Sequence, residues 1–330
     1  MGKDSYKVYV TRIIPQPGLD ILQENIADVK INTNDQLLSR DELLREVAGL
    51  DALLPMLTER IDAELMDAAG KQLRVIANHA VGYDNIDLPE ATKRGIMVTN
   101  TPGVLTDATS DFAWALLFAT ARRVPPADTF TRALKYKGWG PMDFLGGDIT
   151  GRTLGIVGAG RIGHAVAMKS RGFRMNVFYT DEFVNERLEN ELGAKKVPLD
   201  ELLAAADFVS VHVPLLESTR HLFNDGTFKK MKKTAYLINT SRGPVVEEAA
   251  LVRALQNGEI AGAGLDVYEN EPAVHPELIK LENVVLAPHI ASATIETRTK
   301  MATMAAQNIV DSLNGKKPAN LLNPDVLSAG

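Results

Sequence analysis

Three glycines, Gly158, Gly160 and Gly163, form a Gly-x-Gly-x-x-Gly set directly after an apolar run, 154–157, and directly before a helix-compatible stretch, 161–171. In that order of strand, turn and helix each glycine has a task. Gly158 permits the tight turn, Gly160 lets the backbone approach a pyrophosphate, and Gly163 lets helix and strand pack closely. The first helical turn, opening on Arg161 and Ile162, adds free N–H groups and a partial positive charge for the phosphates. A second apolar run, 175–179, ends near Asp181, about twenty residues beyond the first glycine, where a carboxylate can accept ribose hydroxyls. A carboxylate there repels a 2′-phosphate, so the pattern predicts NAD (NADH) as cofactor. The nearest arginine, Arg187, leaves NADP open as the less favoured alternative.

Hydride transfer between a nicotinamide and a carbonyl requires a cation to hold and polarise the substrate, an acid for the oxygen, and alignment over the ring. Suitable residues follow apolar runs in the second half of the chain. Arg242 lies in Ile-Asn-Thr-Ser-Arg-Gly (238–243), Glu271 in Asp-Val-Tyr-Glu-Asn-Glu-Pro (266–272), and His289 in Ala-Pro-His-Ile (287–290). Ligands of open α/β sheets gather at the carboxyl ends of strands, so distant residues can converge there. Taken singly, each has an ordinary explanation: a surface Arg, a solvated loop Glu, a satisfied polar His. Their joint occurrence, each beside Gly or Pro after an apolar run, is what marks a site.

In the first hundred residues, β-like runs at 7–11, 29–32, 52–57, 75–80 and 96–99 alternate with amphipathic stretches such as 41–48 and 62–69, for which Asp41 and Asp62 are the expected caps. A long helical pattern, 106–123, is expected to stop at Pro125 and Pro126. A second series follows, with apolar runs at 154–157, 175–179, 208–213, 235–239, 260–267 and 284–287, helical stretches such as 199–205 and 247–256 between them, and a closing helical pattern at 295–314. This alternation predicts an α/β protein with two doubly wound parallel-sheet domains. The fingerprint strand comes early in a cofactor domain, so the hundred residues before the helix at 106 form a separate one.

Composition narrows the function classes. A chain of 330 residues can bury two cores, and 45% hydrophobic with 24% charged residues is ordinary for a globular protein. The net charge of -6 gives no general attraction to nucleic acid or an anionic bilayer, so neither partner is expected. With no cysteine, disulfides, thiolate nucleophiles and cysteine-bound zinc are excluded, and a cytoplasmic location fits. Residues 1–8 carry no apolar leader core, and the apolar stretch 112–121 is only about half a membrane span, reading as a core or subunit-contact helix. His164, His221 and His275 lack metal-ligand spacing, so no metal is expected.

With these motifs in place, the chain resembles the D-isomer-specific 2-hydroxyacid dehydrogenases, and within them the glyoxylate/hydroxypyruvate reductases. The likeness runs through 81–87, 98–109, the glycine fingerprint, 238–243, 262–272 and 287–294. It implies a flavodoxin-like substrate domain (1–101 and 291–330), a Rossmann NAD-binding domain (102–290), a homodimer, and reduction of a small 2-keto acid to the D-2-hydroxy acid. It implies that Arg242 binds and polarises the substrate, that His289 acts as acid or base, and that Glu271 holds the imidazole and favours its charged form. By the same resemblance the backbone of Ala80, Val81 and Gly82 receives the substrate carboxylate, Leu54 and Pro55 line the pocket, His79 is a pocket or packing residue, and Trp139 reaches a partner's pocket. Thr106 and Asp266 fall near the nicotinamide, and His212, Val213, Pro214 and Thr240 along the adenosine half. Thr219, Ser241, Arg242, His289 and Ala291 complete the implied cofactor set. The alternatives are a D-lactate or 3-phosphoglycerate dehydrogenase of the same family, or an NAD-sensing co-repressor built on the same core.

Overall fold

The computed structural model describes residues 4–328, and the leader-free reading of residues 1–3 lies outside them. The chain divides into two compact units, Met1–Leu105 with Ala293–Gly330, and Thr106–Ser292. Each is built on its own parallel sheet.

The first sheet comprises β1 (Asp4–Val10), β2 (Ile26–Ile31), β3 (Ala52–Leu54), β4 (Val75–Ala77) and β5 (Met97–Thr99), in the order β2-β1-β3-β4-β5. This is the flavodoxin-like order, which reverses between β1 and β3 and so opens a crevice at their carboxyl ends. Every residue of β3 and β4 is buried, as a parallel sheet covered on both faces requires. One face packs against the helices Gln16–Asn25 and Ile295–Leu313, where Ala302, Ala305, Ala306 and Ile309 meet Val8, Val10, Leu54 and Val75. Those helices cross closely: a Cβ on Gly18 would stand 2.7 Å from the Cβ of Ala302. The other face holds Leu43, Val47, Leu65, Met66 and Ile76.

The second sheet comprises β6 (Thr153–Val157), β7 (Asn176–Thr180), β8 (Lys195–Lys196), β9 (Phe208–Val211), β10 (Tyr236–Asn239), β11 (Gly262–Leu265) and β12 (Val284–Leu286), in the order β12-β11-β10-β9-β6-β7-β8. It is the Rossmann order with one further strand, reversing between β6 and β9. The helix Thr106–Ala121 lies across β10, β11 and β12. Gly264 permits the approach, since a Cβ there would come within 2.9 Å of Thr120 Oγ1. Trp114, Leu116, Leu117 and Ala121 belong to this unit's own core, which accounts for much of the apolar composition of 112–121.

Local chemistry explains where elements depart from expectation. Pro125 and Pro126 do not merely stop a helix; they sit in the first turn of the next, Val124–Arg132, where a missing N–H costs nothing. The helix Arg40–Glu46 is capped by Ser39 and not Asp41, because Ser39 and Glu42 exchange hydrogen bonds as a capping box. Asp62 does cap Ala63–Ala69, accepting from the Leu65 N–H.

Candidate active site

The glycine turn joins β6 to the helix Arg161–Lys169 at the point where the sheet order reverses. Gly158 has a φ of 92°, and a Cβ there would lie 2.8 Å from both the His212 carbonyl carbon and the Val213 nitrogen. A Cβ on Gly163 would stand 1.9 Å from the Gly158 carbonyl oxygen, so helix and strand touch where the motif requires. Gly160 differs: nothing lies within 4 Å of its Cβ position, and it precedes a helix whose first N–H groups have no side-chain cap. Open space over uncapped N–H groups is what a pyrophosphate needs. Arg161 is exposed and Ile162 half-buried beside that opening.

Asp181 follows β7, with Oδ2 accepting from the Ala159 N–H at 2.6 Å and Oδ1 from the Phe183 N–H at 3.2 Å. The carboxylate is thus tied to the glycine turn itself. Arg187 is turned to Glu191, 2.6 Å away. At the ends of β9 and β10, His212 Nδ1 and Thr240 Oγ1 are buried and without a hydrogen-bond partner. Burial pushes the His212 imidazole down to about 3, and its Nε2 lies 2.8 Å from Ser210 Oγ, so the ring is a neutral wall. These orphaned atoms and the open cradle fit a dinucleotide. Val213 and Pro214 border the turn, whereas the Thr219 hydroxyl is committed to Pro214 and Leu216 of its own loop.

Arg242, Glu271 and His289 follow β10, β11 and β12, three adjacent strands. Asn239, not singled out in the sequence, shapes the Arg242 turn: its Oδ1 takes the N–H and hydroxyl of Ser241, and its amide donates to the Arg242 carbonyl. His289 Nδ1 lies 2.9 Å from Glu271 Oε2, and Glu271 Oε1 accepts from the Tyr268 N–H at 3.0 Å. Burial pushes the Glu271 carboxyl up, but the His289 hydrogen bond and charge, the Tyr268 N–H and the Arg242 charge together hold it below its usual value.

The loop carrying His289 is fixed from below. Asp266, fully buried, accepts the Ile290 and Ala291 N–H groups, each at 2.7 Å, and its carbonyl accepts the His289 N–H at 2.9 Å. His289 itself has a φ of 56°, a left-handed conformation that those three bonds enforce. Burial, more than any neighbouring charge, raises the Asp266 carboxyl. Thr106 opens the helix Thr106–Ala121 of the same unit.

In the first unit, Ala80, Val81 and Gly82 follow β4. The Ala80 carbonyl accepts from the Thr101 N–H, that of Val81 from Asn100 Nδ2, and that of Gly82 from Asn78 Nδ2. Trans peptide geometry puts each following N–H on the opposite edge, which suits an anion. Leu54 is fully buried in the core, while His79, 4% exposed, is held down to about 4 by burial and by the Arg298 charge. Trp139 is 83% exposed. Among the described residues no cluster of three or more His, Asp or Glu side chains could hold a metal, and no helix is long and apolar enough to cross a membrane.

A Rossmann sheet with an open glycine cradle and a strand-end Arg, Glu and His define a nicotinamide-dependent oxidoreductase. The family described as D-isomer specific 2-hydroxyacid dehydrogenase, NAD binding domain, matches residues 114–291, and the chain belongs to the D-isomer specific 2-hydroxyacid dehydrogenase family. It is 53% identical to a glyoxylate reductase of Korarchaeum cryptofilum over 324 residues, 97% of each chain. It is 51% identical to a glyoxylate reductase of Thermococcus onnurineus over 326 residues, 98% of this chain and 97% of that one. The NADPH-dependent glyoxylate/hydroxypyruvate reductase of Sinorhizobium meliloti, solved with NADP and malonate, is similar with a TM-score of 0.83 at 34% identity, covering 97% of each chain. The chain is an enzyme that uses NAD(H) with small 2-keto and 2-hydroxy acids.

Proposed function

We propose that the enzyme reduces glyoxylate or hydroxypyruvate to the D-2-hydroxy acid with NADH, using Arg242, Glu271 and His289. The observation that carries this reading is the His289–Glu271 contact of 2.9 Å at the end of two strands, beside a third that ends in Arg242. The bound dinucleotide supplies the hydride. Arg242 offers a planar, permanently charged fork suited to a carboxylate and its adjacent carbonyl oxygen, and so polarises the carbonyl. Glu271 engages Nδ1 of His289, leaving Nε2 to deliver the proton to the carbonyl oxygen as it gains charge. Glu271 stays ionised throughout because its carboxyl is held low. The carbonyl bonds of the 80–82 loop, which leave its N–H edge for a carboxylate, support the reading of the first unit as the substrate domain, and the glycine cradle supports that of Thr106–Ser292 as the cofactor domain.

The relatives named for glyoxylate support the small substrate. Asp181 and the engaged Arg187 support NADH over the NADPH used by the Sinorhizobium protein. We assign a cytoplasmic homodimer, with the contact on the segment 124–145, where Val124, Leu134, Trp139, Met142 and Leu145 are each more than half exposed. Steady-state rates with glyoxylate, hydroxypyruvate, pyruvate and 3-phosphohydroxypyruvate, each with NADH and NADPH, test the reading. The highest kcat/KM is expected for NADH with one of the first two acids. A higher value with NADPH, or with pyruvate or 3-phosphohydroxypyruvate, overturns it.

A further inference from the structure

Glu271 and His289 sit on different loops, and their 2.9 Å contact depends on those loops keeping one register. Tyr268 touches both. Its backbone N–H donates to Glu271 Oε1 at 3.0 Å, and its phenol donates at 2.8 Å to the carbonyl of Ala287, two residues before His289. The residue is 6% exposed, and burial with the charges of Asp266, Glu248 and Glu271 pushes the phenol up to about 12, so the O–H remains a donor throughout the working range.

The same stretch also abuts the third segment. A Cβ on Gly243, the residue after Arg242, would fall 1.7 Å from the Tyr268 carbonyl oxygen and 2.5 Å from the Glu269 nitrogen. Only glycine admits the Arg242 turn this close to the Tyr268–Glu269 backbone. Glu269 then fastens the stretch from its far side. Its N–H donates to Glu248 Oε1 at 2.7 Å, its Oε2 accepts the Glu248 N–H at 3.0 Å, and its Oε1 lies 2.6 Å from His221 Nε2. Tyr268 is also a member of this unit's core, and these polar contacts all converge on the one dipeptide Tyr268–Glu269.

We propose that Tyr268 is a positioning residue for the Glu271–His289 pair, with Glu269 as the anchor that keeps the dipeptide against the Arg242 turn. The proposal rests on the reading of that pair as the proton-handling groups. Tyr268 acts through others: it sets where Oε2 and Nδ1 meet, and the phenol ties the movement of one loop to the other.

Tyr268→Phe keeps the ring and the backbone N–H and removes the tie to Ala287. The expected result is a fall in kcat of about 10-fold, with the KM for the keto acid and the Kd for NADH changed by less than about twofold, because a displacement of a fraction of an ångström at the reacting pair costs rate before it costs binding. Combined with Glu271→Gln, the same change is expected to add less than about twofold, since residues acting as one unit are not additive. Glu269→Gln, which leaves the phenol in place, is expected to show the same pattern and serves if Tyr268→Phe does not fold. A kcat for both variants within about twofold of the parent, or losses that multiply with that of Glu271→Gln, would overturn the positioning role. A Glu271→Gln enzyme with parental kcat overturns the pair itself, and the positioning role with it.

Discussion

Replacing Glu271 by Gln separates charge from shape at the proposed proton-transfer pair. The carboxylate side chain is 28% exposed and spends one oxygen on His289 Nδ1 and the other on the Tyr268 N–H. Glutamine keeps the volume and one acceptor, but must present its NH₂ to one of the two donors. A hydrogen bond to a charged group contributes about 1.5–3 kcal/mol. If that difference is felt only as the imidazole takes or gives its proton, kcat falls by about 10- to 100-fold, at about 1.4 kcal/mol per decade. The assay is loss of NADH absorbance at saturating keto acid, with NADH affinity measured separately by fluorescence and expected to be unchanged. The sign of the pH effect follows from the carboxyl being held low. Its contribution is fully present above the ordinary carboxylate range and is lost only as pH falls through the lower folded value, so between pH 5 and 8 the parent keeps a charged acceptor that the variant lacks. A variant whose kcat stays within about twofold of the parent across that range would refute the role assigned to Glu271.

Two further outcomes follow from the packing. Gly163→Ala places a methyl 1.9 Å from the Gly158 oxygen, so the helix must retreat from the turn; a stability loss of about 1–3 kcal/mol in urea titration and a weaker NADH Kd are expected, and a parental Kd would contradict the close approach. His79 is buried with its imidazole lowered to about 4, whereas the unfolded chain titrates near 6.5; the unfolded state therefore binds the extra proton between those values, and stability is lost as pH falls from about 6.5 towards 4. His79→Gln should flatten that part of the Tm–pH curve, and an unchanged slope would show that the ring is not the group responsible.

Much of this fold could be read in advance because short apolar runs such as 154–157 and 284–287, too short for a helix and followed by Gly or Pro, mark the parallel strands β6 and β12. β8 could not: it is two exposed lysines at a sheet edge, with no apolar signal to report the pairing. The cap at Ser39 was hidden by Asp41, an equally good capping type two residues on, and only the reciprocal bond with Glu42 decides between them. The two prolines at 125 and 126 punctuate a chain without saying whether they end one helix or begin another. At the site, Arg242, Glu271 and His289 were visible because chemistry-bearing types stand directly after strands. Asn78 and Asn239 hold their own turns by bonds to backbone groups a few residues on, and Asn100, Asp266 and Tyr268 hold loops by bonds to backbone groups far along the chain; neither composition nor spacing records where those backbone groups point.

The close crossing of Gly18 and Ala302 has a consequence for synthesis. The unit Thr106–Ser292 is one uninterrupted stretch, so all of its strands have been made before the last helix is begun. The first unit is not: Ala302, Ala305, Ala306, Ile309 and Leu313 fill one face of a sheet whose five strands were finished by Thr99. On the ribosome that face stays without its cover while some two hundred residues are added, and the second unit can complete its core during the wait. The earliest part of the chain to be made is thus the last to be closed.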